Sequence, residues 1–225
     1  MYAVAIDGPA GAGKSTISRA AAKAIGFLYV DTGALYRAVA YDILQNQIDP
    51  TDQKAVCGRL SAIEVHFGYE GSEQQVYLNQ ENVTDKLRTP QVSAAASSVS
   101  AIGAVRQFLF SQQQDIAREN NIIMDGRDIG TFVLPNAQVK IYLTATAEER
   151  ARRRFEELRQ KGETVDFQHV LADLKKRDEN DMNRDVSPLR QAPDAIVVDT
   201  SQMDFAQSVQ AILKIIEKKI GQGKK

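Results

Sequence analysis

A stretch near the start of the chain, Gly8-Pro9-Ala10-Gly11-Ala12-Gly13-Lys14-Ser15, has the residue types and spacing to hold phosphate. It satisfies G-x-x-x-x-G-K-[ST] at every fixed position, between the apolar run Val4-Ala5-Ile6 and the alternating stretch Ile17 to Ile25. Glycines at these positions leave the backbone uncluttered, so successive N–H groups can turn inward around an anion. A helix starting near Lys14 adds the partial positive charge of its N-terminus. Lys14 can then reach the β- and γ-phosphates of a triphosphate, and the Ser15 hydroxyl can ligate a magnesium ion that keeps most of its own water.

Two further groups belong to the same chemistry. Ile122-Ile123-Met124-Asp125 reads as a buried strand ending in a carboxylate, followed at once by Gly126-Arg127-Asp128-Ile129-Gly130. A phosphate-loop protein puts its second acidic group at such a strand end, near the magnesium ion and its water. Phe27 to Val30 reads as a short strand running into Asp31-Thr32-Gly33, with a helix from about Ala34 that carries Leu35, Tyr36, Val39, Ile43 and Leu44 at helical spacing. Asp31, Thr32 and Arg37 therefore fall at a strand's carboxyl end, where parallel sheets meet their ligands.

The elements that must position these residues alternate strand and helix, the signature of an α/β fold with a doubly wound, mostly parallel sheet flanked by helices. The alternation starts with a helix from Lys14 to Ile25 closed by Gly26. It is interrupted at Val65 to Tyr69 and Gln75 to Leu78, two segments of β character separated by Gly71-Ser72-Glu73, which read as a small inserted antiparallel hairpin. Thr89-Pro90 opens a long helical stretch from Gln91 to about Asn120 with a break near Gly103. Val139 to Leu143 is the next strand, Ala195 to Thr200 the last, and a helix from about Phe205 to Ile220 buries Val209, Ile212, Leu213 and Ile216. Gly221 to Lys225 reads as a frayed end.

Two charged stretches lie between the last strands. From Ala147 a helix carries Arg150, Arg152, Arg153, Arg154 and Arg159, and Lys175 to Arg184 is densely charged. They fit a pair of solvated helices laced by pairs such as Glu149 with Arg153. Beside a phosphate loop they equally fit a mobile lid whose guanidinium groups close over a transferring phosphoryl group. On this division the chain is a single domain with a core of 1–62, 88–145 and 190–225, an insert of 63–87 and an Arg-rich lid of 146–189.

The composition narrows the class. The 225 residues are 43% hydrophobic and 25% charged, ordinary for a soluble globular protein. A formal net charge of -1, from 28 basic and 29 acidic residues, argues against a general nucleic-acid binder. One cysteine, Cys57, excludes an internal disulfide, and His66 and His169 stand apart from any Cys or His partner, which disfavours zinc. No run approaches the roughly 18 apolar residues of a membrane span. The expected setting is the cytoplasm.

Together, Ile6-Asp7-Gly8-Pro9 with the phosphate loop, Asp31 to Arg37, Asp125 to Thr131, and Arg177-Asp178 through Arg184 resemble the bacterial cytidylate kinase family, and the hairpin insert is similar to its enlarged nucleotide-binding region. The resemblance implies transfer of the terminal phosphoryl group of ATP, with Mg2+, to CMP or dCMP by a monomer. By position, Gly8, Pro9, Ala10, Gly11, Ala12, Gly13, Lys14, Ser15 and Thr16 would hold the ATP phosphates. Thr32, Arg37 and Arg127 would hold the acceptor phosphate, Ser97, Arg106 and Asp128 would read cytosine, and Arg177 with Asp181 would face its sugar. Arg153 and Arg184 would sit near the phosphates being exchanged and act in catalysis with Lys14 and Arg127. A carboxylate beside an arginine suits the amino group and ring edge of cytosine. The competing readings are another small phosphate-loop kinase, for AMP, UMP, shikimate or dephospho-coenzyme A, and a nucleotide-dependent switch without an acceptor.

Overall fold

The chain alternates strand and helix from its start. β1 (Ala3–Asp7) leads through the phosphate loop into α1 (Lys14–Ile25), and β2 (Leu28–Asp31) runs directly into α2 (Thr32–Gln45). A short helix, α3 (Gln53–Arg59), precedes three antiparallel strands, β3 (Val65–Glu70), β4 (Glu73–Leu78) and β5 (Glu81–Asn82). Helices α4 (Pro90–Ser100) and α5 (Gly103–Glu119) lead to β6 (Ile122–Gly126) and a wide helical turn at Ile129–Val133. After β7 (Val139–Thr144) come the helix pair α6 (Ala147–Gln160) and α7 (Phe167–Asn183), then β8 (Ile196–Asp199) and α8 (Phe205–Gln222). The computed structural model of the chain describes residues 1–71 and 73–222.

The main sheet has the order β2-β6-β1-β7-β8, with every neighbouring pair parallel. Parallel strands need crossovers over their faces, so both faces are covered and the strands read as apolar runs. On β1, Val4 and Ile6 enter a core shared with Ile17 of α1 and Ile212 and Ile216 of α8. Ala5 enters the opposite one with Val30, Met124 and Ile129. Each large aliphatic side chain buried this way contributes about 1.5–3 kcal/mol. The register sets Asp125 level with both Ile6 and Asp31, so the strands end together and their terminal carboxylates gather on one edge.

A third core joins α2, α4 and α5 to the small sheet through residues such as Leu35, Val39, Val76, Val99 and Leu109. The insert is also tied to the end of β2, where the Asp31 N–H donates to Gln74 Oε1 at 2.8 Å.

Several elements differ from the sequence expectation. The helical stretch expected from Gln91 starts one residue earlier, at Pro90, and its expected break near Gly103 falls at Ala101–Ile102. Thr89 starts α4, its hydroxyl accepting the Val92 N–H at 3.1 Å, with Pro90 at the first helical position. The strand expected to end at Val30 includes Asp31, and α2 starts at Thr32 rather than Ala34, because Asp31 caps it by accepting the Ala34 N–H at 3.2 Å. The last strand is confined to Ile196–Asp199. α8 runs on through Gly221 and Gln222, part of the tail expected to fray; the rest of that tail, 223–225, lies outside the described residues, as does Ser72 of the hairpin turn. The stripe expected on α8 packs into the core. Among the described residues no helix is long and apolar enough to cross a membrane.

Candidate active site

Level strand ends put the phosphate loop, the start of α2 and the loop after β6 around one cleft of about 650 Å³. Gly8 turns out of β1 with φ 153°, and a Cβ there would lie 1.9 Å from the Leu143 carbonyl oxygen of β7, so only glycine lets the loop leave the sheet at this point. Lys14 opens α1 and is buried, with Nζ donating to the Pro9 carbonyl at 2.8 Å. Burial, with Arg127 nearby, pulls its pKa down to about 7. Ser15 Oγ donates to Asp125 Oδ2 at 2.9 Å, and the Tyr29 hydroxyl donates to Asp125 Oδ1 at 3.0 Å. Burial and the neighbouring Asp31 push Asp125 up to about 6. A serine hydroxyl beside a carboxylate is an all-oxygen donor pair. That suits Mg2+, which takes one or two protein oxygens and fills the rest of its shell with water and phosphate.

Across the cleft, Asp31 at the end of β2 faces one arginine from α2 and another from the segment before α4. Arg37 donates to Asp31 Oδ2 at 2.7 Å, and Arg88 lies 3.8 Å from the same oxygen. Burial works against the Asp31 charge, but the two guanidinium groups outweigh it and hold the carboxyl below its usual range. Thr32 Oγ1 donates to the Asp125 carbonyl at 2.8 Å.

The far wall comes from the loop after β6. Arg127 Nε donates to Asp181 Oδ2 of α7 at 2.7 Å. Burial disfavours the Arg127 charge, yet Asp181 more than compensates and raises its pKa. Asp128 pairs with Arg106 of α5, both nearly inaccessible, and Arg184 stands 3.6 Å from its other oxygen. The turn that carries these residues is held by Asp7, whose two carboxylate oxygens accept the Ile129 and Gly130 N–H groups, each at 2.7 Å. Burial pushes Asp7 up to about 6 against the pull of those two N–H groups.

Every residue given a binding or catalytic role from the sequence lines this cleft except Gly8, Pro9 and Ala10 of the phosphate loop. Several of the lining residues keep buried polar atoms with no hydrogen-bond partner among the described residues: Ser97 Oγ, the Nε atoms of Arg37, Arg106 and Arg177, and the terminal nitrogen of Arg184 that stands 3.6 Å from Asp128. Unpaired buried donors are costly, about 1–3 kcal/mol each, and five of them facing one cleft suit an oxygen-rich ligand. Arg153 is turned to the protein itself, donating to Glu149 at 2.9 Å and to the Thr200 carbonyl at 2.7 Å. Of the pairs expected along these helices, Glu149 with Arg153 forms at 2.9 Å; Arg152 and Arg154 sit in exposed pairs, and Arg150 is buried against Asp178. Sequence reasoning missed the parts played by Asp7, Tyr29, Arg150 and Asp178. For Asp7 a signal existed, since it ends a strand as Asp31 does, and Asp125 stands one residue from the end of its own.

The family model for cytidylate kinase matches residues 4–218. The protein named cytidylate kinase in Caldicellulosiruptor bescii is 51% identical over 215 residues, which are 96% of this chain and 95% of that one. Its counterpart in Halalkalibacterium halodurans is 45% identical over 217 residues, 96% and 98% of the two chains. A solved structure of an uncharacterised protein from Eubacterium ventriosum superposes with a TM-score of 0.54 at 11% identity, covering 96% of this chain and 99% of that one, and bears on the fold alone. Likeness at that level over almost the full length, in a chain built around a phosphate loop, leaves one assignment: the chain belongs to the cytidylate kinase family.

Proposed function

We propose that the chain transfers the γ-phosphoryl group of ATP to CMP or dCMP, giving ADP and CDP or dCDP. The observation that carries this reading is the buried Arg106–Asp128 pair beside the unpartnered Ser97 hydroxyl, across the cleft from the phosphate loop. Asp128 can accept from the amino group of cytosine while Arg106 and Ser97 donate to its ring edge. Uracil would set a carbonyl against that carboxylate, so UMP is disfavoured by about 1–3 kcal/mol, or about 10- to 100-fold.

An oxygen of the acceptor phosphate attacks the γ-phosphorus as the bond to the β,γ-bridging oxygen breaks, and that oxygen leaves on ADP. The attacking oxygen is already anionic, so no general base is required and positioning with charge neutralisation does most of the catalysis. Residues Gly8 to Thr16 cradle the triphosphate, with Lys14 on its terminal phosphates. Ser15 would hold Mg2+, with Asp125 acting directly or through a water, and the ion would supply positive charge against that of the triphosphate. Thr32, Arg37 and Arg127 take the acceptor phosphate, Arg177 and Asp181 the sugar. Arg153 and Arg184 close on the group in transit. In this scheme residues 63–87 form the acceptor-side insert and 146–189 the lid, whose closure excludes water that would otherwise hydrolyse ATP.

The test is ADP release from MgATP by purified protein with CMP, dCMP, UMP, AMP or GMP, against a control without acceptor. CMP and dCMP are expected to exceed the others by at least about tenfold. A win by another monophosphate would remove the base-reading assignment, and no acceleration by any of them would remove the kinase reading.

A further inference from the structure

The lid-side helices are fastened to the phosphate loop through Ala10. Its methyl enters the apolar core of the α6–α7 pair with Ala151, Leu158, Val170 and Leu174. Its N–H donates to Asp178 Oδ1 at 2.9 Å, and its carbonyl accepts from a terminal nitrogen of Arg150 at 2.7 Å. The same nitrogen donates to Asp178 Oδ2 at 2.6 Å, so peptide, carboxylate and guanidinium close a ring of hydrogen bonds. Arg150 Nε is fixed in turn on the Ala145 carbonyl at 3.0 Å. Ala10 is 2% exposed, Arg150 6% and Asp178 8%, so water does not compete for these contacts and their geometry is held tightly.

α7 gives the ring its reach. Positions 174, 177, 178 and 181 recur at i, i+3, i+4 and i+7 and share one face of the helix. Leu174 packs on Ala10, Asp178 holds its N–H, Arg177 enters the cleft and Asp181 accepts from Arg127. These contacts span about two turns, a length over which a helix moves as a stiff unit. A shift of the Ala10 peptide is thereby a shift of Arg177 and of the Asp181–Arg127 contact.

We propose that Arg150 and Asp178 are a positioning pair that couples the two nucleotide sites. Triphosphate in the loop sets the Ala10 peptide, and the ring passes that setting along α7 to the acceptor side. Neither residue need touch a substrate to do this. The coupling rests on the assignment of the loop to ATP and of the cleft beyond it to CMP, made under the proposed function.

Calorimetric titration of the full chain tests it, with CMP titrated alone and in the presence of saturating magnesium adenosine 5′-(β,γ-imido)triphosphate, and with the analogue titrated with and without CMP. In the wild type each ligand tightens the other by the same factor, at least about fivefold. Asp178→Asn keeps the side-chain size and an acceptor for the Ala10 N–H but removes the charge facing Arg150. It is expected to reduce the factor to below about twofold while CMP alone still binds within about threefold of wild type. Arg150→Lys, which keeps the charge and loses the planar fork, is expected to give an intermediate factor and replaces Asp178→Asn if that variant does not fold. Leu158→Ala thins the same helix-pair core without touching the ring and is expected to keep the wild-type factor. Full coupling in Asp178→Asn, or an equal loss in Leu158→Ala, would mean that the pair only stabilises the helices, and independent binding in the wild type would leave nothing to transmit. Failure of the wild type to bind either nucleotide would instead overturn the site assignment beneath.

Discussion

Asp128 is shared by two guanidinium groups, Arg106 in a buried pair and Arg184 at 3.6 Å, so its removal acts on the fold and on substrate recognition together. Breaking a buried pair from one side costs about 3–5 kcal/mol. Asp128→Ala is expected to lower unfolding free energy in urea by about 3 kcal/mol for that reason. It should also lower kcat/KM for CMP by about 10- to 100-fold with KM for ATP within about threefold, since the cytosine contact is lost while the phosphate loop keeps its own. Equal losses toward both substrates would count against base reading. Protonation gives a second test. Below about 6, Asp125 takes up a proton and no longer holds the Ser15 hydroxyl as a carboxylate; above about 7, Lys14 of the free enzyme loses its charge. The profile of kcat/KM for MgATP, which reports the free enzyme, is therefore expected to be bell-shaped with limbs near those values. A bound triphosphate raises the pKa of Lys14, so the basic limb should disappear from kcat. A basic limb at the same pH in both profiles would mean that Lys14 does not meet the phosphates.

At the scale of elements, two glycines with positive φ separate a loop that must fit between strands from one that merely turns. A Cβ on Gly8 would overlap the Leu143 carbonyl oxygen, a main-chain atom held in β7 that cannot move aside. Gly162, after α6, has φ 81° and nothing within 4 Å of such a Cβ. Gly162→Ala is expected to cost about 1 kcal/mol of stability, from its left-handed backbone alone. Gly8→Ala should cost at least about 3 kcal/mol, by strain and overpacking combined. Urea midpoints for the two variants check the ordering, and similar losses would refute it. The same contrast explains what the sequence could announce. The phosphate loop, the strand ends at Asp31 and Asp125, and the stripe of α8 were legible because each is local, set by a spacing of types within a dozen residues. The turn at Ile129–Val133 was not, since it depends on Asp7 more than a hundred residues earlier. Nor was the ring on Ala10, whose members lie 140 and 168 residues from it. The short helix α3 and the two-residue β5 offer too few residues for periodicity to register.

Over the whole molecule, 28 basic and 29 acidic residues nearly cancel, yet Lys14, Arg37, Arg106, Arg127, Arg177 and Arg184 converge on one cleft. The carboxylates among them do not satisfy every donor, and Arg177 shows the consequence. Burial, Arg127 and Arg37 together lower its pKa, with Asp181 and Asp178 only partly opposing, and its Nε has no hydrogen-bond partner among the described residues. A basic group whose pKa falls on folding is one whose charge opposes folding at neutral pH. Arg177→Leu is therefore expected to make the ligand-free protein more stable by about 1 kcal/mol, relieving one unsatisfied buried donor. Its melting temperature should rise by about 2–4 °C, the scale for a chain of this size. The same change should abolish the gain from CMP, which in the wild type at a hundred times its Kd amounts to about 2.7 kcal/mol. Thermal melts of both proteins with and without CMP should consequently cross, the variant higher alone and the wild type higher with nucleotide. Were the variant to melt lower even without ligand, Arg177 would be supporting the fold, and the positive cleft would hold no free energy in reserve for its substrate.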